Sequence, residues 1–70
     1  MPKVPPQKYR KVIKVLRRNG FIFRRSSGSH EIWWNEQTKS TCVVPHHIEV
    51  KGGTIRSIAK QSGINVTEFI

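Results

Sequence analysis

The chain has 70 residues, which is enough for one small domain (1–70) with a thin core and too few for a second domain. Its 13 lysines and arginines against 4 acidic residues give a net charge of +9, which indicates an anionic partner such as nucleic acid, an anionic membrane or an acidic protein. A single cysteine excludes an internal disulfide, and without a signal peptide or an apolar run of about 20 residues to span a membrane we expect a cytoplasmic protein.

The N-terminal part of the sequence predicts an extended lead-in and then an amphipathic helix. Residues 1–6 hold three of the four prolines, and Pro6 suits the first turn of a helix. Apolar residues then follow helical spacing at Tyr9, Val12, Ile13 and Leu16. The opposite side of the helix is cationic. It is either a surface that binds the phosphates along a nucleic-acid backbone or an ordinary solvated helix face. Asn19 and Gly20 are expected to end the helix.

Three short strands are predicted next, at residues 21–25, 30–35 and 39–44. A turn cluster at 26–29 and a polar loop at 36–38 separate them, and Pro45 closes the third. Such short connections favour an antiparallel meander. Alternation along the middle strand puts His30, Ile32 and Trp34 on one face, and the neighbouring Trp33 on the other. Cys42 falls in the third strand, where we expect a buried, inert thiol.

A second helix is predicted after the break at residues 51–53. Thr54 is a suitable N-cap, Ile55, Ile58 and Ala59 share one face, and Gly63 is expected to end the helix. The tail 64–70 adds a last turn. The order α-β-β-β-α predicts an α+β fold, in which two helices cover one face of a three-stranded antiparallel sheet. Double-stranded RNA-binding domains have the same order.

The triplet Gly28-Ser29-His30 is the candidate catalytic feature. Histidine ordinarily titrates near pH 6.5, so it can give or take a proton near neutrality, and RNA is the polyanion most easily cut by proton transfer alone. Developing negative charge would be stabilised by the cationic residues Arg24, Arg25, Lys51 and Arg56. The alternative is that His30 is a hydrogen-bonded structural residue at the start of a strand.

Three further features are candidates for binding. The Gly-Gly-Thr segment at 52–54 leaves backbone N–H groups at a helix start, where Lys51, Arg56 and Lys60 would complete a phosphate site; it is otherwise an ordinary loop and cap. Either His46 or His47 could be a second proton carrier, or both could be structural loop residues. One of the two tryptophans must lie on the uncovered sheet face, where it could stack a base or, more in keeping with the pattern, contact a protein.

Taken together, these motifs resemble the HicA family of bacterial and archaeal toxins, also called YcfA-like proteins. The resemblance runs from about residue 9 to residue 69. It is carried by Asn19-Gly20-Phe21, by Gly28-Ser29-His30 before an apolar strand, by the Val-Pro-His-His segment at 44–47, and most specifically by residues 53–64. A short loop at 36–38, a second glycine before Thr54 and the proline-rich lead-in depart from the family pattern.

The resemblance implies a toxin that cleaves messenger RNA as an endoribonuclease without a cofactor or a metal. The catalytic histidine of the family corresponds to His30, and Gly28 corresponds to the residue that gives RNA room to approach, with Ser29 between them. The partner implied is an antitoxin of the HicB type, which covers the active site. Two other classes remain as alternatives: a non-catalytic module that binds double-stranded RNA, and an adaptor that binds an acidic protein.

Overall fold

A computed structural model describes residues 3–70, and it has the predicted α+β architecture. The elements in chain order are β1 (Gln7–Lys8), α1 (Tyr9–Arg18), β2 (Ile22–Ser27), β3 (His30–Asn35), β4 (Ser40–Pro45), β5 (Glu49–Val50), α2 (Gly52–Ser62) and a 3₁₀ turn (Val66–Phe69). The order of the main elements, α-β-β-β-α, is confirmed. Residues 1 and 2 of the predicted lead-in lie outside the described residues, and residues 3–6 form neither helix nor strand.

The main sheet is an antiparallel meander in the order β2-β3-β4. Along the central strand β3 the buried residues are Glu31, Trp33 and Asn35, whereas His30 is exposed and Ile32 is half-buried. Such an alternation is what a strand gives when only one of its faces is covered. The sequence-based assignment of the two tryptophans to opposite faces is therefore confirmed.

One hydrophobic core lies between the covered face of the sheet and the helices. It is formed by Val12, Val15 and Leu16 of α1, Phe21, Trp33 of β3, Cys42 and Val44 of β4, Val50 of β5, Ile55, Ile58 and Ala59 of α2, and Ile64 and Phe69 of the tail. Both helices and the strands β3, β4 and β5 thus contribute side chains to the same cluster, whereas the residues of β2 are exposed. The apolar face predicted for the second helix is confirmed, and so is the burial of the Cys42 thiol.

Local contacts fix the helix ends and the second hairpin. Asn19 caps α1, and Gly63, in the left-handed conformation, caps α2, as predicted. The buried Asn35 side chain donates to the Asn19 carbonyl oxygen over 2.9 Å and accepts from the backbone N–H groups of Gln37 and Thr38. Asn35 therefore joins the end of α1 to the loop between β3 and β4.

Several boundaries differ from the sequence-based expectations. Pro6 does not open the first helix, because residues 7–8 pair with Glu49–Val50 as a two-stranded antiparallel ladder before α1 begins. Residues 26–27 belong to β2 and not to the turn. The second helix begins at Gly52, so Thr54 is not its N-cap: Lys51 holds that position, without a side-chain hydrogen bond.

Gly52 is where the N-terminal segment crosses the start of α2. A Cβ atom added to Gly52 would lie 1.8 Å from the backbone oxygen of Val4, far inside van der Waals contact. A Cβ atom at the adjacent Gly53 would meet nothing within 4 Å. Of these two glycines, the first therefore permits the close approach of another backbone.

A Gly52→Ala variant is expected to be less stable than a Gly53→Ala variant by about 1–3 kcal/mol, the range for overpacking. Alanine favours the helix at either position, so the difference between the variants isolates the clash with Val4. Urea unfolding measures it, and backbone NMR shifts of residues 3–8 should move only in Gly52→Ala. Equal stability of the two variants would show that the N-terminal segment is not held against α2.

Candidate active site

His30 directly follows a two-residue hairpin turn. Ser27 and His30 pair across the turn, so only Gly28 and Ser29 form the loop. Gly28 has φ +61° and Ser29 has a negative φ, which is the pattern of a type II′ turn with glycine at its first position. The turn itself thus supplies a conformational reason for Gly28, and it leaves the His30 side chain exposed.

His30 lies in an open groove of about 340 Å³ between the sheet and the start of α2. The other lining residues are Val43 and Pro45 of β4, His47 and Glu49 of the following segment, and Lys51 and Thr54 at the start of α2. Two imidazoles, a lysine and the N-terminal end of a helix therefore face one space. A groove with these groups suits a phosphate and its neighbouring hydroxyls.

The register of the sheet explains why residues distant in sequence meet in this groove. His30 is paired with Pro45 in the β3–β4 ladder, so the chain leaving β4 passes beside the Gly28-Ser29 turn. The His46 backbone N–H then donates to the Ser29 carbonyl oxygen over 2.6 Å, and the His47 N–H donates to the Pro45 carbonyl oxygen over 2.9 Å. The second bond closes a three-residue turn, which keeps His47 beside Pro45.

His46 belongs to a different cluster. Its ring stacks on Tyr9 of α1 with the ring centroids 4.5 Å apart, and its Nδ1 lies 3.4 Å from Oε2 of Glu31. Glu31 is buried behind His30, where its Oε1 accepts hydrogen bonds from the Tyr9 hydroxyl and, over 3.2 Å, from Trp33 Nε1. This carboxylate therefore connects α1, β3 and the segment that carries His46 and His47.

The Tyr9 hydroxyl and the Cys42 thiol both resist ionisation. Desolvation, followed by the hydrogen bond to Glu31 and the charge of Glu31, raises the pKa of Tyr9 from its usual 10 to about 12. Burial raises the pKa of Cys42 from 9 to about 12. In the unfolded chain both groups lose their protons at lower pH than in the folded protein.

The folded protein is therefore expected to lose stability as the pH rises from about 9 to about 12. In that range the folded state holds more protons than the unfolded state, so the free energy of unfolding falls with pH, whereas the full contribution is present below pH 9. Urea unfolding at pH 8 and pH 11 under reducing conditions measures the loss. It should be smaller in a Tyr9→Phe, Cys42→Ala double variant; an equal loss would mean that other groups cause it.

The cationic residues named from the sequence are spread over the surface. Lys51 lines the groove with His30, but Arg24, Arg25, Arg56 and Lys60 do not. The Arg24 guanidinium lies 5.1 Å above the Trp34 ring, and Arg25 is paired with Ile32 on the same uncovered face as His30. Arg56 and Lys60 are exposed along α2. Of the five, only Lys51 lines the groove that holds His30.

The groove also contains Val43, Pro45 and Glu49, to which no site role was assigned from the sequence. His47 and Thr54 were candidates from the sequence, but His47 could not be separated from His46, and Thr54 was expected as a helix cap within the phosphate segment 52–54. The pairing of His30 with Pro45 explains why His47 lies near His30, because it brings the residues just after Pro45 beside the start of β3. The predicted hairpin places His30 near the end of the third strand, but the sequence alone does not show which of the residues after Pro45 turn toward His30.

A second concave surface is basic and lies along α1. It is lined by Lys8, Arg10, Lys11, Lys14, Val15, Arg18 and Glu68. Across residues 3–70, no three histidine, cysteine or acidic side chains are grouped so that they could hold a metal ion. Within the same residues, no helix is long and apolar enough to cross a membrane.

Comparison with known proteins identifies a family. A family model described as "HicA toxin of bacterial toxin-antitoxin" matches residues 9–64, which include both helices, the main sheet and all residues of the groove. No curated protein matches the sequence. The matched segment thus covers most of the chain.

Proposed function

Because the chain belongs to the HicA toxin family, we propose that it is an endoribonuclease which cleaves messenger RNA in the cytoplasm without a metal or a cofactor. Membership makes the protein the toxin of a toxin–antitoxin system and implies an antitoxin partner. The observation that carries the proposed activity is the position of His30, exposed in a groove beside Lys51 and the start of α2.

The reaction proposed is attack of a ribose 2′-oxygen on the adjacent phosphorus. The 2′-oxygen loses its proton as the new bond forms, and the 5′-oxygen leaves and takes up a proton, which gives a 2′,3′-cyclic phosphate and a 5′-hydroxyl end. His30 transfers one of these protons. Lys51 and the backbone N–H groups at the start of α2 hold the phosphate as its negative charge grows.

The remaining site residues act in binding. Gly28 and Ser29 form the turn that leaves His30 open to the RNA backbone, while Arg25 and Arg24 extend positive charge along the sheet face next to it. Arg56 and Lys60 continue the charge along α2. A chain with a net charge of +9 attracts the phosphate backbone over a distance, and this attraction weakens as salt screens it.

The antitoxin proposed is of the HicB type, and it blocks the groove. A partner with acidic side chains would meet Lys51 and the cationic surface around the groove, so it would compete directly with RNA. The uncovered sheet face, with the half-buried Trp34 and the exposed Ile22 and Val43, offers apolar contact area, and Val43 also lines the groove. Tryptophan is enriched among residues that dominate binding energy at protein interfaces.

Expression in a bacterium tests the proposed function. The parent chain is expected to arrest growth and to shorten messenger RNAs, and a His30→Ala variant produced at the same level is expected to do neither. Arrest by both chains would indicate toxicity unrelated to cleavage, as would arrest with intact messenger RNA. Either result would favour a module that binds RNA or protein without cutting.

A further inference from the structure

Two adjacent histidines on this chain face different surroundings. His47 lines the groove with His30, whereas the His46 ring stacks on Tyr9 and approaches Glu31. His47 also borders the neighbouring cavity that Tyr9 and His46 line, but of the two histidines only His47 lines the groove that holds His30. The groove therefore holds two imidazoles, one at the start of β3 and one two residues after Pro45, the β4 residue that pairs with His30.

Cleavage of RNA through its 2′-hydroxyl requires two proton transfers, and the His30 imidazole can make only one of them in a concerted step. One proton leaves the 2′-oxygen and another must reach the departing 5′-oxygen, on the opposite side of the phosphorus. A single histidine leaves one of the two transfers to water. A second imidazole in the same groove allows both transfers to be made by positioned groups.

We propose that His47 is the second proton-transfer residue of the active site and acts as a pair with His30. This inference rests on the proposed ribonuclease function. One imidazole accepts the proton of the 2′-hydroxyl as the bond from the 2′-oxygen to phosphorus forms. The other donates a proton to the 5′-oxygen as the bond from phosphorus to that oxygen breaks. The pair thus begins with one proton and ends with one, exchanged between the rings.

The surroundings of the groove support this assignment. Lys51 and Thr54, at the start of α2, line the groove together with the two rings, so a cation and a helix start are available to hold a phosphate. Glu49 also lines the groove and can accept a hydrogen bond from an imidazole N–H, which orients the ring. His47 is exposed, so its ring is accessible to RNA.

Three single variants provide the test: His47→Gln, His30→Gln and, as the matched control, His46→Gln. Glutamine keeps hydrogen bonding but transfers no proton near neutral pH. Single-turnover cleavage of a short RNA at saturating protein is expected to slow by about 100-fold or more in the first two variants and to change little in the control. RNA binding measured separately should be retained in all three.

A modified substrate then distinguishes proton transfer from a structural role. In an RNA whose 5′-oxygen at the mapped cleavage position is replaced by sulfur, the leaving group departs without protonation. Cleavage of this RNA should be restored in one of the two slow variants, the one that lacks the acid, and should stay slow in the other. Restoration in neither, or parent-like cleavage by His47→Gln, would overturn the inference while leaving the ribonuclease proposal intact. If the parent protein cuts no RNA, both proposals fail.

Discussion

A His30→Ala variant is expected to lose RNA cleavage by about 10²–10⁴-fold while it keeps RNA binding. His30 is exposed in the groove, and the described contacts that hold the fold around it are made by the backbone of its strand and by Glu31. Removing the imidazole should therefore take away proton transfer without disturbing the sheet. Single-turnover cleavage of a labelled RNA measures the first effect, and binding of the same RNA measures the second.

The salt dependence of binding serves as a control in this experiment. Binding of the parent and of His30→Ala should weaken with added salt by the same slope, because the cationic contacts are identical in the two proteins. Cleavage by His30→Ala at the parental rate would show that His30 does not take part in the cleavage reaction. Loss of both binding and cleavage would place His30 in recognition of the RNA and not in proton transfer.

A Trp33→Ala variant is expected to lose about 3–5 kcal/mol of stability. Trp33 is 1% exposed and is the largest fully buried side chain in residues 3–70. Its ring meets Phe23 edge-on at 5.9 Å and lies beneath the Arg17 guanidinium at 5.4 Å, and its Nε1 donates to Glu31. A chain of this length has a total stability of about 4–10 kcal/mol, so the variant should lose a large part of it and unfold at a clearly lower temperature than the parent.

A Trp34→Ala variant is the matched control for this prediction. Trp34 is the next residue but lies on the uncovered face, half-buried beneath the Arg24 guanidinium. Its removal loses a cation–π contact and part of its buried area, together about 1–2 kcal/mol. Thermal unfolding followed by circular dichroism compares the two variants. Equal losses would contradict the assignment of the tryptophans to opposite faces.

The main sheet and the helix faces could be predicted because their signals are local. Residues 30–35 were expected as a strand, and the structure has a strand over that range in which buried residues alternate with exposed or half-buried ones, so that Trp33 and Trp34 lie on opposite sides. Spacing also identified Ile55 and Ile58 as core residues of α2. In each case the period of the pattern follows from the order of a few neighbouring residues, whereas the structure shows which of the two tryptophans is covered.

The β1–β5 ladder and the start of α2 could not be predicted in the same way. Residues 7–8 are too short a segment to show a strand pattern, and they pair with residues more than 40 positions later. Threonine is a favoured N-cap, yet α2 begins two residues before Thr54. Val4 packs its backbone against Gly52 at that point, and such a contact between distant segments leaves no trace in the local sequence.

The candidate site could be predicted only in part, because some of its features have local signals and others depend on contacts between distant segments. The glycine of a tight turn placed His30 at the mouth of a hairpin, and Lys51 at the start of the second helix was expected near a phosphate. The choice between His46 and His47 depends on hydrogen bonds to Ser29 and Pro45 and on stacking with Tyr9. Only the folded chain brings these groups together.

The most direct test of the proposed function is cleavage of RNA by the purified parent protein in excess EDTA. A labelled messenger RNA is expected to be cut, with 2′,3′-cyclic phosphate and 5′-hydroxyl ends at the new termini. An RNA that stays intact at any excess of protein, or that is cut only after a divalent metal is added, would contradict it.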